Sequence, residues 1–141
     1  MRSASGSDIR CVLGMLGVDV HSKGLRTLAR LLRDRGVTIV YLGEHNSPDG
    51  MAHAVAVEDA DVVGVSFSTS TYVPHTTALL AAMRRAGVAD VPLMVGGLIH
   101  PDDEPTLLNA GVAAVFGPSS TTEEIMNFLT DLPRARDRAA S

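Results

Sequence analysis

The chain has 141 residues, a formal net charge of -4 and a single cysteine. That length bounds it to one compact domain with a real hydrophobic core and excludes a large multidomain enzyme. Hydrophobic residues make up 45% but aromatics only 4%, so Val, Leu, Ile, Ala and Met must build the core, and an acidic chain with few rings offers no platform for a nucleic acid.

The opening residues are Ser-rich and polar, with no apolar stretch of the secretory kind. Cys11 has no second cysteine to pair with, and no apolar run approaches the roughly 18 residues of a membrane span. A cytoplasmic protein without membrane contact is expected.

Residues 11–15 are the first of five short apolar runs, followed by 38–42, 62–66, 92–95 and 112–116. Each is bounded by Gly or polar residues, as strands buried on both faces are. Between the first two runs, Leu25, Leu28, Leu31 and Leu32 mark one face of a helix over 25–35, which Gly36 stops. A second helix begins at Ser47 with Pro48 in its first turn, and a third follows Thr71 and runs to Gly87. The fourth opens at His100, where Pro101, Asp102, Asp103 and Glu104 suit the positive end of a helix. Ser120 and Glu123 have the spacing of a capping box for the fifth, which Pro133 ends. Five βα units with right-handed crossovers predict a flavodoxin-like (Rossmann-like) α/β fold: a five-stranded parallel sheet, order 2-1-3-4-5, with helices on both faces.

Ligands bind such sheets beyond the carboxyl ends of the strands. The loops there are unusual: Gly17 to Gly24 after the first strand, Ser66 to Thr71 after the third, Gly96-Gly97 after the fourth and Gly117-Pro118-Ser119-Ser120 after the fifth. Glycines at these points invite close approach of something large and flat. Asp19 and His21 are the sharpest pair, because a carboxylate can take the Nδ1 proton of an imidazole and leave Nε2 free as base or metal ligand. One such ligand is a poor site for free zinc, so a metal would arrive inside a cofactor with its own equatorial ligands; an exposed loop histidine bonded to Asp19 is the competing reading. Cys11 reads as a buried small hydrophobe, Thr69 to Thr71 as ordinary N-capping, and His45, His53 and His75 as surface residues, while His100 lies at the same edge as the glycines.

Asp19-Val20-His21-Ser22-Lys23-Gly24 resembles the Asp-x-His-x-x-Gly motif of the cobalamin-binding domain found in adenosylcobalamin-dependent mutases and corrinoid methyltransferases. The resemblance extends in order to Ser66, Gly96-Gly97 and Phe116-Gly117-Pro118, over about residues 8–132. The family's Ser-x-Leu triplet reads Ser66-Phe67-Ser68, and Ser119 follows Phe-Gly-Pro where the family usually has Gly. The stretch from Leu42 to Ser66 is similar to small subunits of acyl-CoA mutases, whereas Met15 is closer to the glutamate mutase branch. The resemblance implies a cobalamin-binding domain at 8–132, between a disordered segment 1–7 and a flexible tail 133–141. It implies adenosylcobalamin bound with its own base off the cobalt, His21 as lower axial ligand, and contacts from Asp19, Val20, Ser22, Lys23, Gly24, Ser66, Ser68, Gly96, Gly97, Phe116, Gly117, Pro118 and Ser119. It further implies a mutase small subunit, the acyl-CoA type being favoured, that is inactive without a large (β/α)8-barrel subunit. A non-enzymatic corrinoid sensor or shuttle is the alternative, and a phosphoreceiver or a flavodoxin would need carboxylates or aromatic rings that these loops lack.

Overall fold

The computed structural model describes residues 9–17 and 22–135. Five strands, β1 (Arg10–Leu16), β2 (Thr38–Asn46), β3 (Val62–Phe67), β4 (Leu93–Gly97) and β5 (Ala114–Phe116), alternate with helices α1 (Lys23–Asp34), α2 (Pro48–Val57), α3 (Tyr72–Arg85), α4 (Glu104–Ala110) and α5 (Thr122–Thr130). A 3-10 turn, Pro101–Asp103, leads into α4. All strand pairs are parallel and the order is β2-β1-β3-β4-β5, the arrangement expected of five right-handed βα units. The expected segment 1–7 lies outside the described residues, as does the expected tail 133–141 from residue 136 onward.

Strand alternation sorts the core into two layers. Cys11, Leu13 and Met15 face α1 and α5, where they meet Leu25, Ala29, Leu32, Met126 and Leu129. Val12 and Leu16, with Val63, Val65, Phe67, Leu93 and Val95, face the layer of α2, α3 and α4. Cys11 is fully buried, as expected of a small hydrophobe, and burial pushes its thiol pKa far upward.

Helix ends follow from local chemistry. Ser47 caps α2 by accepting the Gly50 amide at 2.9 Å, and Pro48 stands in its first turn. α1, α3 and α4 close alike: the glycine after each helix bonds back three residues, and the next residue (Val37, Val88, Val112) bonds back five. α2 closes the same way through Asp59 and Ala60, with Asp59 at φ 55.

Five expectations need correction. β2 and β5 are half-buried edge strands rather than strands buried on both faces, and β2 runs four residues beyond the expected 42, into polar sequence. Val112 belongs to the closure of α4, so β5 begins only at Ala114. Leu31 is 40% exposed; the buried face of α1 is Leu25, Ala29 and Leu32. The cap of α5 is Thr121, whose Oγ1 accepts the Glu124 amide at 3.1 Å, and Glu123 turns instead to Arg35 at the end of α1.

Candidate functional site

The strand registers put two rows of residues across the α1/α5 face of the sheet. The inner row is Leu13, Gly64, Met94 and Ala114, and the outer row, at the carboxyl edge, is Ser66, Gly96 and Phe116. Leu13 and Met94 fill the space over Gly64, whose added Cβ would lie 2.7 and 2.8 Å from them. Ser66 and Gly96 are too small to fill the outer row, so the sheet is hollow there. The result is a cleft of about 270 Å³ between α1, α5 and the strand ends, near the low end of small-molecule sites.

Of the residues singled out in the sequence, Gly24, Ser66, Gly96, Gly97, Phe116 and Gly117 line this cleft. Ser22 is buried at the start of α1, and Lys23, Pro118 and Ser119 are exposed beside the cleft mouth without lining it. Ser68 follows β3 and also lies outside the lining. Asp19, Val20 and His21 fall outside the described residues; the described residues nearest them are Gly17, directly after β1, and Ser22, the N-cap of α1.

The glycines are not equivalent. An added Cβ on Gly97 would stand 2.1 Å from the Phe67 carbonyl oxygen, and Gly97 has φ +107, so its own backbone requires glycine whatever binds nearby. On Gly96 the Cβ would come within 3.3 Å of the Phe116 carbonyl oxygen. Gly24 differs: it lines the cleft, lies in a helical turn, and its added Cβ would meet nothing within 4 Å.

Sequence reasoning missed Thr27, Leu28 and Leu31 on α1 and Thr122 and Ile125 on α5, which form the opposite wall. Their signal was a leucine too many on α1: Leu31 is apolar and exposed because it faces the cleft rather than the core. His75 was also misread. It is half-buried, stacks on Phe67 at 6.4 Å, bonds through Nδ1 with the Thr71 carbonyl at 2.9 Å, and packs its Nε2 against Gly17. Thr71 itself holds the N-cap position of α3 without a side-chain cap bond. His53 is exposed, as is the His45 side chain. His100 caps the turn before α4, its Nδ1 accepting the Asp102 amide at 3.1 Å. Its own amide donates to the Tyr72 hydroxyl at 3.2 Å. Tyr72 donates in turn to Asp103, which raises the Tyr72 pKa and ties the loop after β4 to α3.

Residues 9–126 match the B12 binding domain family. The chain is 33% identical over 132 residues to the pivalyl-CoA mutase small subunit of Xanthobacter autotrophicus, covering 94% of this chain and 88% of that one. It is 38% identical over 135 residues to ethylmalonyl-CoA mutase of Cereibacter sphaeroides, covering 96% of this chain but only 20% of that protein. Among solved structures, a cobalamin-binding protein from Desulfitobacterium hafniense superposes with a TM-score of 0.73 over 86% of this chain and 57% of that one, at 16% identity, a likeness of fold. No helix among the described residues is long and apolar enough to cross a membrane.

Proposed function

The chain belongs to the B12-binding domain family, and on that premise we propose that it is the cobalamin-carrying small subunit of an adenosylcobalamin-dependent acyl-CoA mutase. The observation that carries the reading is the hollow outer row at Ser66 and Gly96, walled by Gly24 and the apolar side of α1. It suits a flat bicyclic base with part of a sugar, and it is too small for a corrin ring. The residues present therefore fit a cofactor whose nucleotide tail enters the protein while the macrocycle stays at the strand edge.

In this reading His21 would hold the cobalt through Nε2, and Asp19 would accept a hydrogen bond from its Nδ1–H and so fix that tautomer. Ser66 offers a hydroxyl to the buried base, and Gly24 leaves room for it. The bound cofactor supplies a cobalt-carbon bond that can break homolytically. Such chemistry would need a substrate held away from solvent. That task falls to a large subunit with a (β/α)8 barrel, docked on the carboxyl edge of the sheet. Alone, the small subunit turns nothing over.

The test is reconstitution with cobalamin, followed by reduction to cob(II)alamin and electron spin resonance. Base-off binding is expected, with coupling to one axial nitrogen that changes when protein histidine is isotopically labelled. Coupling indifferent to that label would refute ligation by His21. Cobalamin binding without a cobalamin-dependent complex with any acyl-CoA mutase large subunit would favour a sensor or shuttle instead.

A further inference from the structure

The carboxyl end of β2 is irregular where a simple edge strand would be straight. Leu13 pairs with Tyr41 but Gly14 with Gly43, and Leu16 pairs with Asn46, so β2 carries one extra residue at each step. Gly43 has φ 72, and His45 has φ 63 without being glycine. A left-handed non-glycine residue costs on the order of 1 kcal/mol and persists only where its surroundings hold it. Bulges of this kind re-aim side chains beside functional sites.

Here they aim two side chains and a carbonyl at the two ends of one loop. On the entry side, the Gly17 amide donates to the Asn46 carbonyl at 3.0 Å. The Asn46 side-chain amide donates to the carbonyls of Met15 at 3.0 Å and Gly43 at 2.9 Å, which locks the bulge against the end of β1. On the exit side, the buried Ser22 hydroxyl donates to Glu44 Oε1 at 2.6 Å, and Arg26 reaches the same oxygen at 3.2 Å. The Ser22 carbonyl accepts the Arg26 amide at 2.9 Å, the first helical bond of α1. Glu44 thus fixes the residue that follows His21 and the start of the helix that walls the cleft.

We infer that the twice-bulged end of β2 is the anchor of Gly17 and Ser22, with Glu44 and Asn46 as positioning residues whose hold on the end of β1 and the start of α1 supports cofactor binding. The anchoring itself is a property of the cofactor-free chain; its bearing on the cofactor rests on the function proposed above. Neither residue touches cobalt in this reading. Each acts through Ser22 or Gly17.

The experiment compares the full chain with Glu44→Ala, Glu44→Gln and Asn46→Ala. In the cofactor-free proteins, amide hydrogen exchange at Arg26 should quicken about 10-fold in Glu44→Ala, as loss of the carboxylate that holds Ser22 and Arg26 implies. Exchange at Gly17 should quicken in Asn46→Ala because the variant keeps the carbonyl that accepts the Gly17 amide but loses the two side-chain bonds that hold it in place, while the amides of β3 and β4 stay as they were. Glu44→Gln keeps an acceptor for Ser22 and should restore most of the protection at Arg26. With aquocobalamin as the probe, Glu44→Ala and Asn46→Ala should each bind several-fold more weakly, and Glu44→Gln nearly as tightly as the parent. Unchanged exchange at Arg26 and Gly17 in the alanine variants would overturn the anchor. Lost protection with unchanged affinity would overturn its bearing on the cofactor. Failure of the unsubstituted chain to bind aquocobalamin would instead refute the proposed function, and the exchange data would still decide whether β2 anchors Gly17 and Ser22.

Discussion

Gly24 offers the cleanest separation of fold from function, because stability and binding should move in opposite directions there. It is the second residue of α1, its backbone is not left-handed, and beyond its chain neighbours and its own helical backbone an added Cβ would meet no atom within 4 Å. Replacing a helical glycine by alanine removes backbone entropy from the unfolded chain and stabilises by up to about 1 kcal/mol in a helix interior. In the first turn we expect about 0.5 kcal/mol, which raises the melting temperature of a domain this size by roughly 2 °C. The same substitution places a methyl group in the cleft, and Gly24→Leu places four carbons there. Thermal unfolding of the cofactor-free proteins and titration calorimetry with cobalamin read the two effects independently. Gly24→Ala should melt higher and bind more weakly, and Gly24→Leu should lose at least 100-fold in affinity while staying folded, since a filled cleft removes the buried base's site. Gly97→Ala is the contrasting case. Its left-handed backbone alone costs about 1–3 kcal/mol, and its Cβ would run into the Phe67 carbonyl, so any loss of binding there would be inseparable from lost stability. Unchanged cobalamin affinity in Gly24→Leu would refute the placement of the tail in this cleft.

Thr121→Ala should cost about 1 kcal/mol, the usual worth of an N-cap, and Ser120→Ala next to nothing; urea midpoints of the two variants check which residue caps α5. Asp59→Gly should stabilise by about 0.5–1 kcal/mol in the same assay, because Asp59 closes α2 at a positive φ that glycine adopts freely. The hydrogen bond from Arg35, and then its charge, hold the Glu123 carboxyl below its ordinary range. The folded pKa is the lower one, so the pair's contribution is complete above the ordinary carboxylate range and is lost as pH falls through the depressed value. Urea titrations should therefore show Glu123→Gln and the parent converging in stability in acid, and also in high salt, since both side chains are well exposed. Cys11 should resist alkylation in the folded protein, because burial raises its thiol pKa and keeps reagent out. Labelling should track unfolding in denaturant, and fast labelling under native conditions would contradict the packing of β1.

Several features of the site could be read before any coordinates. The alternation of apolar runs with capped helices determined the sheet order, because right-handed crossovers leave few ways to arrange five βα units. Ser47, Gly36 and Gly87 carry their structural instructions locally, in a side-chain cap or a left-handed closure. Gly24, Ser66, Gly96 and Gly117, which line the cleft, stood out because their types are unusual near strand ends.

What periodicity cannot hold is the outcome of contacts between elements distant in sequence. Leu31 looked like a core leucine until α5 and the sheet left a gap in front of it. Gly97 looked like a ligand's glycine until β3 brought the Phe67 carbonyl against it. The last four residues of β2 lie beyond the apolar run that ends at 42, yet pairing with β1 draws them into the sheet, and the two extra residues bring Glu44 to Ser22 and Asn46 to Gly17. The single-residue shift from Ser120 to Thr121 arises the same way, since Glu123 answers to Arg35 on another helix and leaves Glu124 to the cap. Local chemistry selects the elements; which side of each glycine is empty, and which polar residue reaches which loop, depends on neighbours that only the folded sheet brings together.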